Sequence, residues 1–204
     1  MTNESLSTRE RILLKSEEEF AKYGYDSVSM NSLVEAIGVN KATVYYHFKN
    51  KRELYHQVFH NILEEINTEL EVLIDSDLDT KTLLRSYIDA IFSTITKRAS
   101  SIPLFFREMA NCGGNFDNDT MPCFDNDILI LKKILARGDV KDKYKEISPY
   151  ALLAIIQGTI KTFTLMIQIE SKFEKLESLL MEDKNPKEEM ADIIFNIVSD
   201  AIIK

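Results

Sequence analysis

The sequence predicts an all-α protein. The 204-residue chain contains only 6 Gly and 4 Pro, so few turns are forced on it and long helices are favoured. Apolar residues recur at the i, i+3, i+4, i+7 spacing of amphipathic helices, whereas the strict alternation of a half-buried strand is hard to find. Hydrophobic residues make up 45% and charged residues 28% of the chain, as in an ordinary globular protein.

Sequence signals delimit two helices near the N-terminus. Ser7 followed by Glu10 forms a capping box, in which each side chain satisfies an unpaired amide at a helix start. The helix that this box opens is predicted to end before Gly24. A second, shorter helix begins at Ser29 and ends at Gly38, which can adopt the left-handed conformation common at helix C-termini.

A third helix begins at Asn40, a favourable N-cap residue that follows Gly38 by only two positions. A short helix, a glycine turn and another short helix, at about residues 29–48, have the outline of a helix-turn-helix. At about 100° per residue, Val44 and Phe48 share the face that is predicted to pack on the preceding helix.

The opposite face of this third helix carries small, hydroxyl and aromatic side chains flanked by lysines. A helix that enters the major groove of DNA needs short side chains at close approach, hydroxyls near bases and phosphates, and cations at its margins. The candidate DNA-binding residues are Ser29, Asn31, Lys41, Ala42, Thr43, Tyr45, Tyr46, His47, Lys49 and Lys51. An amphipathic helix with a solvated basic edge is the alternative explanation of the same pattern.

The charge distribution favours a polyanion at this stretch alone. The net charge of the chain is −8, which by itself argues against nucleic acid. Residues 1–60 contain eight basic and eight acidic residues, so the whole excess lies in residues 61–204. Between Gly38 and His60, four basic residues stand against one acidic residue, a local positive excess that suits a polyanion.

The stretch from residue 9 to residue 59 resembles the N-terminal DNA-binding domain of the TetR family of bacterial transcriptional regulators, above all in "GVNKATVYYHFKNKREL". The resemblance implies a homodimer that places its two third helices in successive major grooves of a palindromic operator in double-stranded DNA. It implies an approach to bases or nearby phosphates by Lys41, Ala42, Thr43 and Tyr45. It implies mainly backbone contacts for Tyr46, His47 and Lys51, assisted by Ser29 and Asn31.

The helical wheel and the resemblance disagree on one residue. The wheel favours Tyr46 for the groove, whereas the resemblance gives Tyr45 at least as large a part. The sequence also departs from the family pattern, because Val34 and Ile37 stand where small residues are usual and Asn40 replaces the commoner Ser. We expect the two larger side chains to widen the packing between the first helices.

We divide the chain into a DNA-binding domain, residues 6–66, and a helical effector-binding and dimerisation domain, residues 67–204. After the helix-turn-helix, the apolar pattern predicts helices at about 51–73, 80–98, 101–111, 125–137, 149–169 and 186–202. The stretch "NCGGNFDNDTMPCF" is predicted to be an irregular loop because Gly, Asn and Asp dominate it.

The last two long helices are predicted to pair with a second copy of the chain. The 149–169 helix is apolar nearly all round, which predicts burial on every side, and the 186–202 helix has a wide apolar stripe. A second copy can cover such faces, and the resemblance likewise implies dimerisation through these helices. A monomeric core that buries both helices is the alternative.

The resemblance also implies that the helical domain binds a small molecule. Aromatic and Met side chains can line an adaptable apolar cavity, and the candidates are Phe92, Phe105, Phe106, Met109, Phe124, Phe163 and Met166. Ordinary cores contain the same residue types, so only the resemblance implies a cavity. Few charged residues fall among the candidates, and we therefore expect a small hydrophobic effector.

Signatures of other function classes are lacking in the sequence. It contains no P-loop, no dinucleotide-binding fingerprint and no G-x-S-x-G motif, so we expect neither an enzyme nor a cofactor. His56 and His60 have the i, i+4 spacing of a metal-binding pair but no third ligand, and we expect no metal. Cys112 and Cys123 are too few for a disulfide framework and are predicted to be unpaired thiols.

The N-terminus lacks the features of a signal peptide, and no run of about eighteen apolar residues lacks a polar break. We therefore expect a cytoplasmic protein with no membrane-spanning helix and no membrane partner.

The sequence as a whole indicates a ligand-responsive, DNA-binding transcriptional regulator of the repressor type. An effector that prefers a conformation with wrongly spaced recognition helices would lower operator affinity, with the 51–73 helix as the lever. One alternative is a DNA-binding regulator controlled by a protein partner or by oxidation of Cys112 and Cys123. Another alternative is a helical oligomeric module that does not bind DNA.

Overall fold

The computed structural model describes residues 6–116, 118, 120–170 and 186–204. These residues form α-helices and contain no strand, which confirms the predicted all-α class. The helices are α1 (Thr8–Tyr23), α2 (Met30–Ile37), α3 (Lys41–His47), α4 (Lys51–Ile74), α5 (Thr80–Lys97), α6 (Ile102–Ala110), α7 (Asp125–Leu135), α8 (Asp142–Lys145), α9 (Pro149–Glu170) and α10 (Pro186–Ile202).

The helix boundaries follow the capping residues that the sequence shows. Ser7 and Glu10 form the predicted reciprocal capping box, and α1 ends before Gly24, its C-terminal cap. Asp79 caps α5 by accepting a hydrogen bond from the Thr82 amide at 3.0 Å. The sequence pattern did not indicate α8, because a helix of four residues is too short to show a period.

The chain forms two compact units, and their boundary differs from the predicted division at residues 66/67. Unit 1 comprises residues 1–64 and 100–123, and unit 2 comprises residues 65–99 and 124–204. The segment 100–123, which contains α6, therefore belongs to the same unit as the helix-turn-helix.

A continuous series of aromatic rings joins α1, α4 and α6 in unit 1. The Tyr55 ring lies edge-on to Phe20 of α1, with 4.9 Å between centroids, and 5.2 Å from Phe59 on its own helix. Phe59 in turn makes edge contacts with Phe105 at 5.3 Å and with Phe116 at 5.0 Å. Each such pair contributes about 0.5–1.5 kcal/mol beyond its buried area, which explains why residues 100–123 pack in unit 1.

Two buried carboxylates reinforce the attachment of α6. The Ser101 hydroxyl, just before α6, donates a hydrogen bond to Glu17 of α1. The Tyr55 hydroxyl donates to Glu108 at 2.6 Å. Burial, followed by this bond to Glu108, raises the pKa of Tyr55 well above its usual range. The burial of a polar group lowers the stability of the fold unless the group forms hydrogen bonds of this kind.

Helix α9 is less buried than its composition predicts. Its buried residues lie on one side of the helix and are Leu152, Ile156, Gln157, Ile160 and Thr164. Tyr150, Ile155, Met166 and Ile169 are each about half exposed. The prediction of burial on every side is therefore wrong for a single chain, because α5, α7 and α10 cover only part of α9.

The same helix bears on the prediction that the chain has no membrane-spanning segment. Within the described residues, Pro149–Ile169 is long and apolar enough to cross a membrane, by length and composition only. Helices that pass this test also occur in the cores of soluble proteins.

A polar chain of side chains crosses the interior of unit 2. Tyr87 of α5 and Gln157 of α9 donate hydrogen bonds to Asp127 of α7, at 2.7 and 2.8 Å. Lys161 donates to Gln157 at 2.8 Å. Burial raises the pKa of Asp127 and lowers the pKa of Lys161 to about 8, the latter opposed by the nearby Asp127 charge.

The lowered pKa predicts a specific pH dependence of stability. Between about pH 8 and 10.5 the unfolded chain binds more protons at Lys161 than the folded protein does, so the free energy of unfolding rises with pH. We expect a rise of about 2 kcal/mol between pH 7.5 and 9.5 in urea titrations. The variant Lys161→Met should lose this rise, and Lys97→Met, at the exposed end of α5, should keep it. Equal slopes in all three proteins would contradict the assignment.

Candidate nucleic-acid interface

The turn and the short helices of the candidate interface are set by local caps. Ser29 accepts a hydrogen bond from the Ser32 amide at 3.0 Å, and the Ser32 hydroxyl lies 2.9 Å from the Ser29 amide in return. Gly38 has φ 73°, which places it in the left-handed region where glycine is favoured. Asn40 accepts hydrogen bonds from the amide and the hydroxyl of Thr43 at 2.8 and 3.0 Å.

Helix α3 is held by one buried face. Val44 is fully buried and Phe48, which follows α3, is 1% exposed, as the helical wheel predicted. Leu33 and Ile37 of the contacting helix α2 are also buried. Burial of each large apolar side chain contributes about 1.5–3 kcal/mol, so this face fixes which side of α3 remains outside.

The Arg9 side chain covers the C-terminal end of the helix-turn-helix. The Arg9 guanidinium lies over the Phe48 ring, 5.3 Å from its centroid. Arg9 also donates a hydrogen bond to Gln57 of α4 at 2.6 Å. It thereby connects α1, the exit of α3 and α4 within unit 1.

The outer face of α3 exposes most of the candidate DNA-binding residues. Tyr46 is 85% exposed and Tyr45 is 43% exposed. Lys41, Ala42 and Lys49 are also exposed, as are Ser29 and Asn31 of the preceding helix start, whereas Thr43 and His47 are half-buried. Lys41 donates a hydrogen bond to Asn31 at 3.0 Å, so the N-terminal ends of α2 and α3 meet at one surface.

Lys51 occupies a different environment from the other candidates. Its ammonium donates hydrogen bonds to the backbone carbonyls of Tyr25 and Val28, at 2.9 and 3.0 Å. It also lies 4.1 Å from the centroid of the Tyr25 ring. The Lys51 side chain therefore holds the connection between α1 and α2 in place, a role for which the linear sequence contains no signal.

The candidate effector residues are distributed over both units. Phe105, Phe106 and Met109 belong to unit 1, and Phe92, Phe124, Phe163 and Met166 belong to unit 2. Phe105 is buried in the aromatic series of unit 1, while Met109 is 71% exposed.

Two of the unit 2 candidates line an open groove along α9. Phe163 and Met166 share this groove, of about 460 Å³, with small residues of α9 and with Met190 of α10. The small residues are Ala154, Gly158 and Thr162, spaced by four positions so that they lie on one face. Sequence reasoning missed this face, although the four-residue spacing is visible in the sequence.

The two cysteines lie in different environments within unit 1. Cys112 is exposed and has φ 52°. Cys123 is half-buried, with its Sγ 3.5 Å from the Nδ1 of His60. In the described part of the chain, His, Cys, Asp and Glu side chains form no group of three that could hold a metal ion.

Comparison with known proteins identifies the N-terminal segment. Residues 12–58 match the family model described as bacterial regulatory proteins of the tetR family. The chain is 24% identical over 156 residues to the HTH-type transcriptional regulator YhgD of Bacillus subtilis, with 74% of this chain and 81% of that protein covered. It is also 24% identical to the HTH-type transcriptional regulator TtgR of Pseudomonas putida, with 80% and 83% covered.

The whole fold also occurs among solved structures. A putative fatty acid metabolism regulator of Clostridium perfringens superposes with a TM-score of 0.75 at 17% identity, with 95% of this chain and 99% of that chain covered. TetR-family regulators bind operator DNA and act as dimers, and they are transcriptional regulators rather than enzymes. The helix-turn-helix of α2 and α3, the match of residues 12–58 and the relatives together support a DNA-binding transcriptional regulator similar to those of the TetR family.

Proposed function

We propose that this regulator is a cytoplasmic repressor that binds a palindromic operator as a homodimer and is released by a small hydrophobic effector. The observation that carries the DNA part is the outer face of α3. That face is free of core contacts because Val44 and Phe48 anchor the opposite side.

The chemistry of this face suits a major groove. Ala42 permits close approach, and the Tyr46 hydroxyl and ring stand clear of the protein. Lys41 and Lys49 lie at the margins of the helix, where they can pair with phosphates. The exposed start of α2 adds backbone amides that favour a phosphate.

The structure also supports an assignment of roles within the candidate set. Tyr45 is partly covered by Lys41, whose ammonium lies 5.8 Å from the ring centroid. Tyr46 projects farther and is assigned to the groove, with Tyr45, Thr43 and His47 at its edges. Lys51 is assigned to support of the α1–α2 connection rather than to direct DNA contact, because two backbone carbonyls engage its ammonium.

Selection of random duplex DNA by the pure protein, followed by sequencing, tests the DNA-binding proposal. The wild type should enrich an inverted repeat whose half-sites are about 34–36 Å apart, one turn of the double helix. Tyr46→Ala should weaken binding of that repeat about tenfold or more, as expected for the loss of a base contact. Lys49→Ala should reduce the slope of log affinity against log salt by about one.

Val72→Ala is the control, because Val72 is a 75% exposed residue of unit 2 that lies outside the proposed dimer face, and it should bind like the wild type. Salt-sensitive retention of DNA without an enriched repeat would favour the helical oligomeric module instead.

The proposed dimer is supported by the uncovered apolar face of unit 2. Ile155, Met166 and Ile169 of α9 and Ile197 of α10 are between 46% and 64% exposed. Apolar side chains exposed in such number mark interaction surfaces. The small residues of the α9 groove allow a second helix to approach closely. A twofold arrangement would cover the same face on both copies.

The variant Gly158→Arg tests this interface. A Cβ atom at Gly158 would meet no atom of the single chain within 4 Å, and a helical Gly gains helix propensity on substitution, so the fold should be retained. Sedimentation velocity should show a dimer for the wild type and a monomer for Gly158→Arg. Gly138→Arg, at a glycine with equally open space, should remain dimeric. A dimeric Gly158→Arg would place the interface elsewhere.

The effector proposal is supported by two of the four apolar candidates of unit 2, Phe92 and Phe124, and by the fatty acid regulator among similar folds. Helix α4 begins in unit 1 and ends in unit 2, so a change in unit 2 can reach the DNA-binding helices through its backbone. Coupling between two sites typically amounts to about 1–3 kcal/mol.

Operator binding with and without 1-decanol tests this response. We expect 1-decanol to weaken operator binding about tenfold, 1,6-hexanediol to leave it unchanged, and Phe92→Ser to reduce the decanol effect. Release by hydrogen peroxide but not by decanol would contradict the proposal and favour control through Cys112 and Cys123.

A further inference from the structure

Unit 1 contains a cleft of about 390 Å³ that the DNA-binding proposal does not use. One wall is the connection between α1 and α2, and the other is the end of α6 with the turn that follows it. None of the candidate DNA-binding or effector residues lines this cleft. Its volume lies within the range of small-molecule sites, roughly 300–1,000 Å³.

Gly24 allows the two walls of the cleft to approach each other closely. Its φ of 82° lies in the region that favours glycine, and a Cβ at this position would lie 3.3 Å from the Nη1 of Arg107. Arg107, on α6, also donates a hydrogen bond to the carbonyl of Lys22 at 3.3 Å. The absence of a side chain at Gly24 therefore leaves the guanidinium at the mouth of the cleft.

The acidic group at the base of the cleft is already satisfied. Glu108 is 2% exposed and accepts a hydrogen bond from Tyr55 at 2.6 Å. It also accepts hydrogen bonds from the Asn115 side-chain amide at 2.8 Å and from the Asn115 backbone at 3.3 Å. Glu108 is therefore occupied by neutral donors and leaves the positive charge of Arg107 without a carboxylate partner.

Most N–H groups of the Arg107 guanidinium form no hydrogen bond within the described residues. Among the described residues it forms no ion pair, and its one hydrogen bond is the long one to the Lys22 carbonyl. The Asn111 side-chain amide beside it makes no hydrogen bond within the described part of the chain. A guanidinium fork matches the two oxygens of a carboxylate and binds it with parallel hydrogen bonds.

The aromatic rings of the cleft walls favour a ligand with a planar ring. Tyr23 is 48% exposed, and Tyr25 is half-buried beside it. Asp26, at the exposed rim, would repel a doubly charged anion such as phosphate more strongly than a single carboxylate. We propose that this cleft binds a small aromatic carboxylate, with its carboxylate on Arg107 and Asn111 and its ring against Tyr23 and Tyr25.

The proposal is independent of operator binding, and its test uses no DNA. Isothermal titration of the full chain with benzoate, and with benzamide as the neutral molecule of the same shape, measures the contribution of the carboxylate. We expect benzoate to bind at least tenfold more tightly than benzamide. Arg107→Gln should remove most of this difference, whereas Arg11→Gln, which removes an exposed arginine of α1, should retain it.

A second variant distinguishes loss of the ligand contact from damage to the fold. Ala110 lines the cleft and is exposed at the end of α6, so Ala110→Glu should fold normally while its charge repels benzoate. Circular dichroism melts should give wild-type stability for Ala110→Glu together with at least tenfold weaker benzoate binding. Absence of benzoate binding, equal affinity for benzoate and benzamide, or unchanged binding by Arg107→Gln would each overturn the proposal.

Discussion

The structure of the DNA-binding unit depends on the burial of one face of a helix that is too short to be stable alone. Helix α3 has seven residues, and isolated helices shorter than about 12–15 residues are marginal in water. Val44 and Phe48 bury that face, Asn40 caps its start, and Arg9 covers the Phe48 ring. Because these contacts use only one side of α3, the tyrosines and lysines on its other side stay exposed without cost to the core.

The second constraint is the attachment of α6 to the same unit. The aromatic series through Tyr55 and Phe59, together with the paired carboxylates Glu17 and Glu108, makes residues 100–123 part of the DNA-binding unit. The chain thus passes between the two units at three places, in α4 and on either side of segment 100–123. The two units are therefore joined by three covalent connections, of which α4 is one.

Helix α9 has one side in the interior of unit 2 and another side that is exposed. Its polar residues Gln157 and Lys161 point into a network with Asp127 and Tyr87 inside unit 2, where hydrogen bonds compensate burial. Its exposed apolar residues, such as Ile155, face away from that core. The inner face thus combines apolar and polar contacts, and the apolar outer face is explained if a second copy covers it.

The sequence by itself determined the all-α class, the caps at Ser7, Ser29, Asn40 and Gly38, and the surface of α3, because these depend on interactions within a few residues. It did not determine the place of Lys51, whose partners lie 23 and 26 residues away, nor the division of the aromatic candidates between two units. Only the tertiary structure decided these features, together with the Asp127 network and the Arg107 cleft. Their contacts join helices far apart in the chain, and the local patterns of hydrophobicity and capping contain no information about which distant helices will meet.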